Sequence, residues 1–201
     1  MIKNLLVEGN ADLRVVESII RQYNIPYAPS IITPCGGFNE LNRMIEPTIQ
    51  QSEIAVLGVI VDADSHMNGR WQRLQQEFGK AGYSLPDDLP KNGFILNGEV
   101  RIGIWIMPDN SLNGMLEDFM RLMIPDDDRL KIIVEETLSE IEAQNLNKYT
   151  ISHRPKAFIH TWLAWQDEPG MPMGQSINKH YFPTNNELCV RFADWLNKLY
   201  Q

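Results

Sequence analysis

The sequence has few cysteines and no long apolar run. Only Cys35 and Cys189 occur among 201 residues, far apart and outside any CxxC motif. This spacing excludes a zinc ribbon and a dithiol redox motif, and it indicates two reduced, chemically inert thiols. No stretch reaches the roughly 20 apolar residues of a membrane-spanning helix, and the first residues lack the pattern of a signal peptide. We therefore expect a cytoplasmic protein without a membrane partner.

Positive charge is also scarce. Lys and Arg together number 18 against 26 Asp and Glu, so the net charge is −8. A protein that binds nucleic acid through a broad basic surface has the opposite balance. The composition therefore argues against tight, metal-free binding of nucleic acid. It leaves open binding through a metal ion, which would supply the positive charge that the side chains lack.

The pattern of apolar residues predicts an α/β fold. The predicted strands are residues 2–7, 30–33, 53–61, 94–96 and 100–107. The predicted helices are residues 11–23, 38–51, 68–83, 114–124, 126–145, 155–166 and 186–200. Alternation of strand and helix in the first part predicts a mostly parallel sheet flanked by helices. We expect an α/β core at 1–125 and a helical extension at 126–201, packed together as one compact unit.

Several local signals refine this prediction. Asn10 and Asp126 are suitable N-cap residues for the helices that follow them. Trp162 and Trp165 lie on one predicted helix, where core positions are a better explanation than a platform for stacking nucleobases. The loop before the last helix is rich in Gly and Pro, which favours irregular structure.

Acidic residues collect where predicted strands end. Glu8 ends the first strand, and Asp62 and Asp64 end the third. Ligands of open α/β sheets bind at the carboxyl ends of the strands, and neighbouring strands lie about 4.8 Å apart. If these two strands are adjacent, the three carboxylates repel one another in a poorly solvated crevice unless a cation lies between them. Oxygen-only ligands suit Mg²⁺, and Mn²⁺ can substitute for it.

Further acids follow at the starts of helices. Asp12 lies in the first helix, Asp109 follows the fifth strand, and Glu117 and Asp118 lie at the start of the next helix. Carboxylates in these places also cap helices and stabilise the helix dipole. A structural role explains Asp12, Glu117 and Asp118 as well as a role in metal binding does.

Other families with an Asp-x-Asp pattern fit less well. An EF-hand loop needs Asp or Asn at its fifth position and Gly at its sixth, where this chain has His66 and Met67. Phosphatases of the haloacid dehalogenase type carry the pattern on their first strand. A glycosyltransferase remains conceivable, although no other feature points to a nucleotide-sugar site.

The motifs "LLVEGNAD" and "VIVDADS", with "WIMPDNSLNGMLEDFM" further on, resemble the Toprim domain of topoisomerases, primases and related nucleases. The resemblance covers residues 2–125 and is nearest to the OLD (overcoming lysogenisation defect) branch, within a small stand-alone group of unknown function. The last third is similar only through "HRPKAFIHTWLAW". The chain lacks the GxxxxGK[ST] motif of the ATPase domain that OLD nucleases carry, and it has no room for a topoisomerase tyrosine domain.

This resemblance implies roles for individual residues. Glu8 would be a metal ligand or a general acid–base group, and Asp62 and Asp64 would bind Mg²⁺. Asp12 and Glu117 would match the carboxylates that the OLD-like branch uses for a second metal ion.

Basic and glycine residues complete the candidate site. Lys156 would match a lysine near the scissile phosphate, and it also lies at the start of a predicted helix, where positive charge is mildly unfavourable. Gly36 and Gly37 follow the second strand, so their N–H groups could face the crevice. We count them with Gly9 as candidate substrate-binding residues.

The sequence therefore predicts a Mg²⁺-dependent, nuclease-like protein that acts on DNA or RNA. The alternative is a degenerate Toprim-like module that binds or assembles without catalysis. A homo-oligomer and a partner protein both remain open.

Overall fold

The computed structural model describes all residues from 1 to 201. The strands are β1 (Ile2–Val7), β2 (Ile31–Pro34), β3 (Ile54–Asp62), β4 (Phe94–Leu96) and β5 (Arg101–Met107). They form one sheet in the order β2-β1-β3-β5-β4, in which only β4 runs antiparallel, to its neighbour β5. The predicted α/β class with a mostly parallel sheet is confirmed, and each strand lies within one residue of its predicted bounds.

Eight helices flank this sheet. They are α1 (Asn10–Gln22), α2 (Phe38–Ile49), α3 (Met67–Lys80), α4 (Leu116–Met123), α5 (Arg129–Ala143), α6 (Arg154–Ala164), α7 (Met173–Asn178) and α8 (Glu187–Tyr200). A short 3₁₀ turn, Ile151–His153, precedes α6. No helix is long and apolar enough to cross a membrane.

The helices cover both faces of the sheet. One core contains side chains of α2 and α3 packed on alternate strand residues such as Leu6 and Val59. The larger core lies on the other face, where α1 and the helices from α4 to α8 pack on residues such as Leu5 and Trp105. Because the central strands are covered on both faces, their residues form continuous apolar runs.

The residues after 125 contribute side chains to the larger core. Val134, Phe158, Trp162 and Trp195 all belong to this cluster. The helical extension therefore covers one face of the sheet. Cys35 and Cys189 are both unpaired.

Two predicted helix caps are corrected. Helix α1 begins after Gly9, so Asn10 is its first residue and not its cap. Helix α5 is capped by Asp128, whose carboxylate accepts a hydrogen bond from Lys131 N at 2.6 Å. Asp126 lies too early to reach that group and instead pairs with the Lys131 side chain.

Two further predictions fail in the last third of the chain. Helix α7 forms inside the segment predicted to be irregular. Trp162 is buried as expected, but Trp165 is 41% exposed because it lies at the end of α6, beyond the covered part of the helix.

Candidate active site

One cleft at the carboxyl ends of the strands brings the predicted acids together. Strands β1 and β3 are parallel neighbours, with Val7 opposite Ile60, so their last residues lie at the same edge of the sheet. The cleft has a volume of about 690 Å³, and its lining includes Glu8, Asp62 and Asp64. A fourth predicted residue, Lys156, lines the same cleft from the start of α6.

Backbone N–H groups orient two of these carboxylates. Asp62 N donates to Glu8 Oε1 at 2.8 Å, and Leu116 N donates to Asp62 Oδ1 at 2.9 Å. The second oxygen of each carboxylate, Glu8 Oε2 and Asp62 Oδ2, takes part in no hydrogen bond with the protein. Each side chain is therefore held through one oxygen while the other can accept a ligand.

Burial and mutual repulsion make these acids reluctant to ionise. Burial, together with the negative charges of Asp12 and Glu8, raises the pKa of Asp62 to about 9. Burial likewise raises the pKa of Glu8 to about 7 against the opposing hydrogen bond from Asp62 N. Carboxyl groups with shifted pKa values that share a cleft are typical of functional sites. A cation bound between them would remove their mutual repulsion.

Asp12 and Glu117 lie behind the cleft and do not line it. Both are buried, in the first turns of α1 and α4. Burial raises the pKa of Asp12 to about 6, whereas the hydrogen bond from Gly9 N and the charge of Lys156 lower it. The charges of both acids act on Asp62, so the structure couples them to the cleft electrostatically.

Asp118 lines the cleft, although the predicted site did not include it. Its carboxylate accepts a hydrogen bond from Met115 N at 3.0 Å, and burial raises its pKa. The sequence showed Asp118 only as an acid at a helix start, which is the same signal that an ordinary cap gives.

A basic residue that the sequence did not single out contacts the third acid. The carboxylate of Asp64 forms an ion pair with the guanidinium of Arg70, on α3. This guanidinium also lies 3.9 Å from the ring centre of Phe38. Arg70 therefore provides a positive charge beside the cluster, and it lowers the pKa of Glu8.

The opposite wall of the cleft comes from the helical extension. It consists of the 3₁₀ turn and the start of α6, and it presents Ser152, His153 and Lys156. This turn and the start of α6 thus complete a cleft whose other residues come from the α/β part of the chain, between Glu8 and Asp118.

The three candidate glycines have a different role from the one expected. The N–H groups of Gly36 and Gly37 both donate to the carbonyl oxygen of Glu8, at 2.9 Å. Gly9 N donates to Asp12 Oδ2 at 2.9 Å. Because these N–H groups are already used, the glycines position the acids instead of offering donors to a substrate.

The carboxylate oxygens of the cleft are suitable ligands for a hard divalent cation, but their positions in this structure do not form a metal site. Carboxylate oxygens are the ligands that Mg²⁺ and Mn²⁺ prefer. No group of three or more His, Cys, Asp or Glu side chains is arranged as a metal site in this structure. Asp64 is turned towards Arg70, so a shared ion requires side-chain rotation.

Comparison with protein families gives a match over nearly the whole chain. A family model described as protein of unknown function (DUF3226) matches residues 2–201. No curated protein and no solved structure shows a significant match to the chain.

Proposed function

The chain belongs to the DUF3226 family, and we propose that it is a Mg²⁺-dependent, nuclease-like protein that acts on phosphodiesters of DNA or RNA in the cytoplasm. The observation that carries this proposal is the shared cleft. Glu8 and the Asp62–Asp64 pair lie there at the ends of two adjacent strands, with Lys156 on the facing wall. The resemblance of the same motifs to the Toprim domain of OLD-like nucleases agrees with it.

In this proposal, Glu8, Asp62 and Asp64 hold the ion. The resemblance assigns Asp12 and Glu117 to a second ion, which would have to bind behind the cleft, where both side chains are buried. When bound to these residues, one or two Mg²⁺ ions would supply positive charge for the phosphoryl oxygens and for activation of the nucleophile. Glu8 can also hold or release a proton at Oε2 near neutral pH, since its pKa is about 7. Lys156 contacts a non-bridging oxygen of the scissile phosphate.

Because the protein has a net negative charge, this proposal requires that nucleic acid bind through a metal ion. With a net charge of −8, the chain repels a polyanion at long range. A metal ion on the carboxylates reverses the sign of the potential locally. We therefore expect nucleic acid to bind only when a divalent cation is present.

A second candidate function is a non-catalytic module. The observation that favours it is that Asp64 already pairs with Arg70, while Glu8 and Asp62 already accept backbone N–H groups. In such a module these contacts would satisfy the acids permanently. It would bind neither Mn²⁺ nor nucleic acid through this cleft.

Mn²⁺ binding and cleavage of labelled DNA and RNA, measured on the same samples, separate the two functions. We expect Glu8→Gln or Asp64→Asn to remove most of the activity, and the double variant to lose little more, because residues that act as a unit are not additive. Activity that survives in both single variants would identify a contaminating nuclease. If the wild-type protein binds no Mn²⁺, the result supports the second candidate function, the non-catalytic module.

Lys156 is tested in the same assay. We expect Lys156→Ala to keep the fold and Mn²⁺ binding but to slow cleavage at least about tenfold, since one charged contact to the reacting group is worth roughly 1.4 kcal/mol or more. Lys148→Ala is the matched control, because Lys148 is exposed and does not line the cleft. Equal rates for the two variants would remove Lys156 from the site.

A further inference from the structure

We propose that Arg70 is the resident counter-ion of the carboxylate site and that a divalent cation binds by displacing it from Asp64. This inference rests on the proposed function and concerns how the same site takes up its metal. It explains why the acids share a cleft without forming a ready-made metal site.

Arg70 is held in place from two sides. Arg70 is the fourth residue of α3, and its side chain is only 21% exposed. Its guanidinium stacks on Phe38, the first residue of α2, at 3.9 Å from the ring centre. A cation over an aromatic ring is stabilised by the ring as well as by its carboxylate partner. The guanidinium can therefore stay near the site after Asp64 leaves it.

Asp64, in contrast, has a backbone fixed by hydrogen bonds and a side chain that is half exposed. Its N–H and carbonyl groups both pair with Gly114, each at 2.8 Å, so the loop after β3 is tied to the loop after β5. The Asp64 side chain is 46% exposed, and Arg70 is its partner. Rotation of this one side chain can bring its carboxylate towards Asp62 without any movement of the main chain.

The charges around the cluster favour such an exchange. The negative charges of four other acids, among them Glu8 and Asp12, act on Asp62. Arg70 contributes a single positive charge, spread over a guanidinium beside only one of them. A divalent cation carries twice that charge and can contact several carboxylate oxygens at once. The ion pair is partly exposed, and such pairs are weak enough to exchange.

The test compares metal binding by wild type, Arg70→Gln and Lys156→Gln. Isothermal titration with Mn²⁺ gives the affinity, and the melting temperature with and without Mn²⁺ gives an independent measure. If Arg70 competes for Asp64, Arg70→Gln should bind Mn²⁺ about fivefold to tenfold more tightly, and Mn²⁺ should raise its melting temperature more than that of wild type. Lys156→Gln also removes one positive charge from the cleft, but it frees no carboxylate, so its affinity should stay within about twofold.

Arg73→Gln is the second control. Arg73 lies one turn along the same helix and pairs with Glu77 at 2.9 Å, away from the cleft. We expect its Mn²⁺ affinity to equal that of wild type. Equal gains in Arg70→Gln and Lys156→Gln would show a general charge effect and overturn the displacement.

A measurement on the unmodified protein covers the case in which Arg70→Gln fails to fold. The Nε–H resonances of arginine side chains, assigned in ¹⁵N-labelled wild type, report on the ion pair during titration with Mg²⁺. Displacement predicts that the Arg70 resonance shifts and exchanges faster with water as Mg²⁺ binds, while that of Arg73 stays unchanged. If Mg²⁺ binds and the Arg70 resonance does not move, Arg70 is not displaced.

The outcomes separate this inference from the proposed function. If Arg70→Gln folds and wild type binds Mn²⁺ at least as tightly as this variant, the inference is overturned, but the metal site remains. If neither protein binds Mn²⁺, the proposed function fails as well.

Discussion

At the scale of single residues, Asp62 lies where a negative charge is strongly disfavoured. Its pKa rises to about 9 because it is buried, and because four other acids lie near it. In the unfolded chain an aspartate ionises near pH 4. Between these two values the unfolded state loses its proton while the folded state keeps it. Without a metal ion, the contribution of Asp62 to stability is therefore lost as the pH rises from about 4 towards 9.

We predict that Asp62→Asn is more stable than wild type at pH 8 when metal is removed with EDTA. Asparagine keeps the oxygen that accepts a hydrogen bond from Leu116 N, but it cannot ionise and so removes the advantage that ionisation gives to the unfolded chain. The gain should be about 1 kcal/mol or more, since one pKa unit corresponds to about 1.4 kcal/mol. It should shrink at pH 5, because the unfolded chain gains much less from ionising Asp62 there than at pH 8. Denaturant unfolding at the two pH values gives both numbers.

The control for this experiment is Asp88→Asn, at an exposed position away from the cleft. We expect it to match wild type at both pH values. An Asp62→Asn protein that is less stable than wild type at pH 8 would show that the folded state stabilises the ionised carboxylate, so that the pKa of Asp62 is not raised. Mn²⁺ should stabilise wild type and leave Asp62→Asn with a smaller gain.

The sequence predicts some residues of the site and cannot predict others. Glu8 and Asp62 are visible because a strand end fixes their place relative to the sheet. Arg70 is not, because its contact with Asp64 depends on how α3 packs and on the reach of a long side chain. His153 is missed for a similar reason, since only the packing of the helical extension brings it to the cleft.

At the scale of elements, two glycines determine how α8 lies on the sheet. Gly58 in β3 and Gly103 in β5 are directly opposite each other, and together they leave a flat patch. A Cβ atom on Gly103 would lie 2.6 Å from Leu199 Cδ1, and one on Gly58 would lie 3.0 Å from Leu199 Cδ2. The end of α8 can approach the strands only because neither residue has a side chain.

We predict that Gly103→Ala lowers the free energy of unfolding by about 1–3 kcal/mol, the range expected for overpacking a core. The added methyl group must move Leu199, which is fully buried. Gly79→Ala is a control with the opposite sign. Gly79 lies in α3 with nothing within 4 Å of an added Cβ, so alanine should stabilise the helix by roughly 0.5–1 kcal/mol. A neutral Gly103→Ala protein would mean that α8 can shift at little cost.

Elements with a strong internal pattern were predicted well, and those fixed by distant contacts were not. The long apolar run of β3 needs no other part of the chain to be recognised. Helix α7 has six residues in a segment rich in Gly and Pro, and it forms against α1. Its Gly174 lies so close to α1 that a Cβ atom would be 2.6 Å from the carbonyl oxygen of Arg14. Local propensity cannot reveal a helix that depends on such a contact.

At the scale of the whole molecule, the two ends of the chain meet in the core. Tyr200 is fully buried, and its hydroxyl donates to the carbonyl oxygen of Asn4 at 2.9 Å. Lys3 Nζ donates to the carbonyl oxygen of Tyr200. The last helix thus contacts the first strand, while the start of α6 forms one wall of the candidate site. The expected boundary near residue 125 divides the sequence, but the larger core contains side chains from both sides of it.

We predict from this arrangement that residues 1–125 do not fold by themselves. Without residues 126–201, the face of the sheet that carries Leu5, Trp105 and Met107 loses most of its cover. Because these core residues become exposed, the fragment should bind a hydrophobic dye and unfold without a cooperative transition. The full chain, in contrast, should show one transition with coincident midpoints from tryptophan fluorescence and far-ultraviolet circular dichroism. A fragment that unfolds cooperatively, or a full chain with two separate midpoints, would show that the α/β part is an independent domain. In that case the wall that carries Lys156 could move relative to the carboxylates.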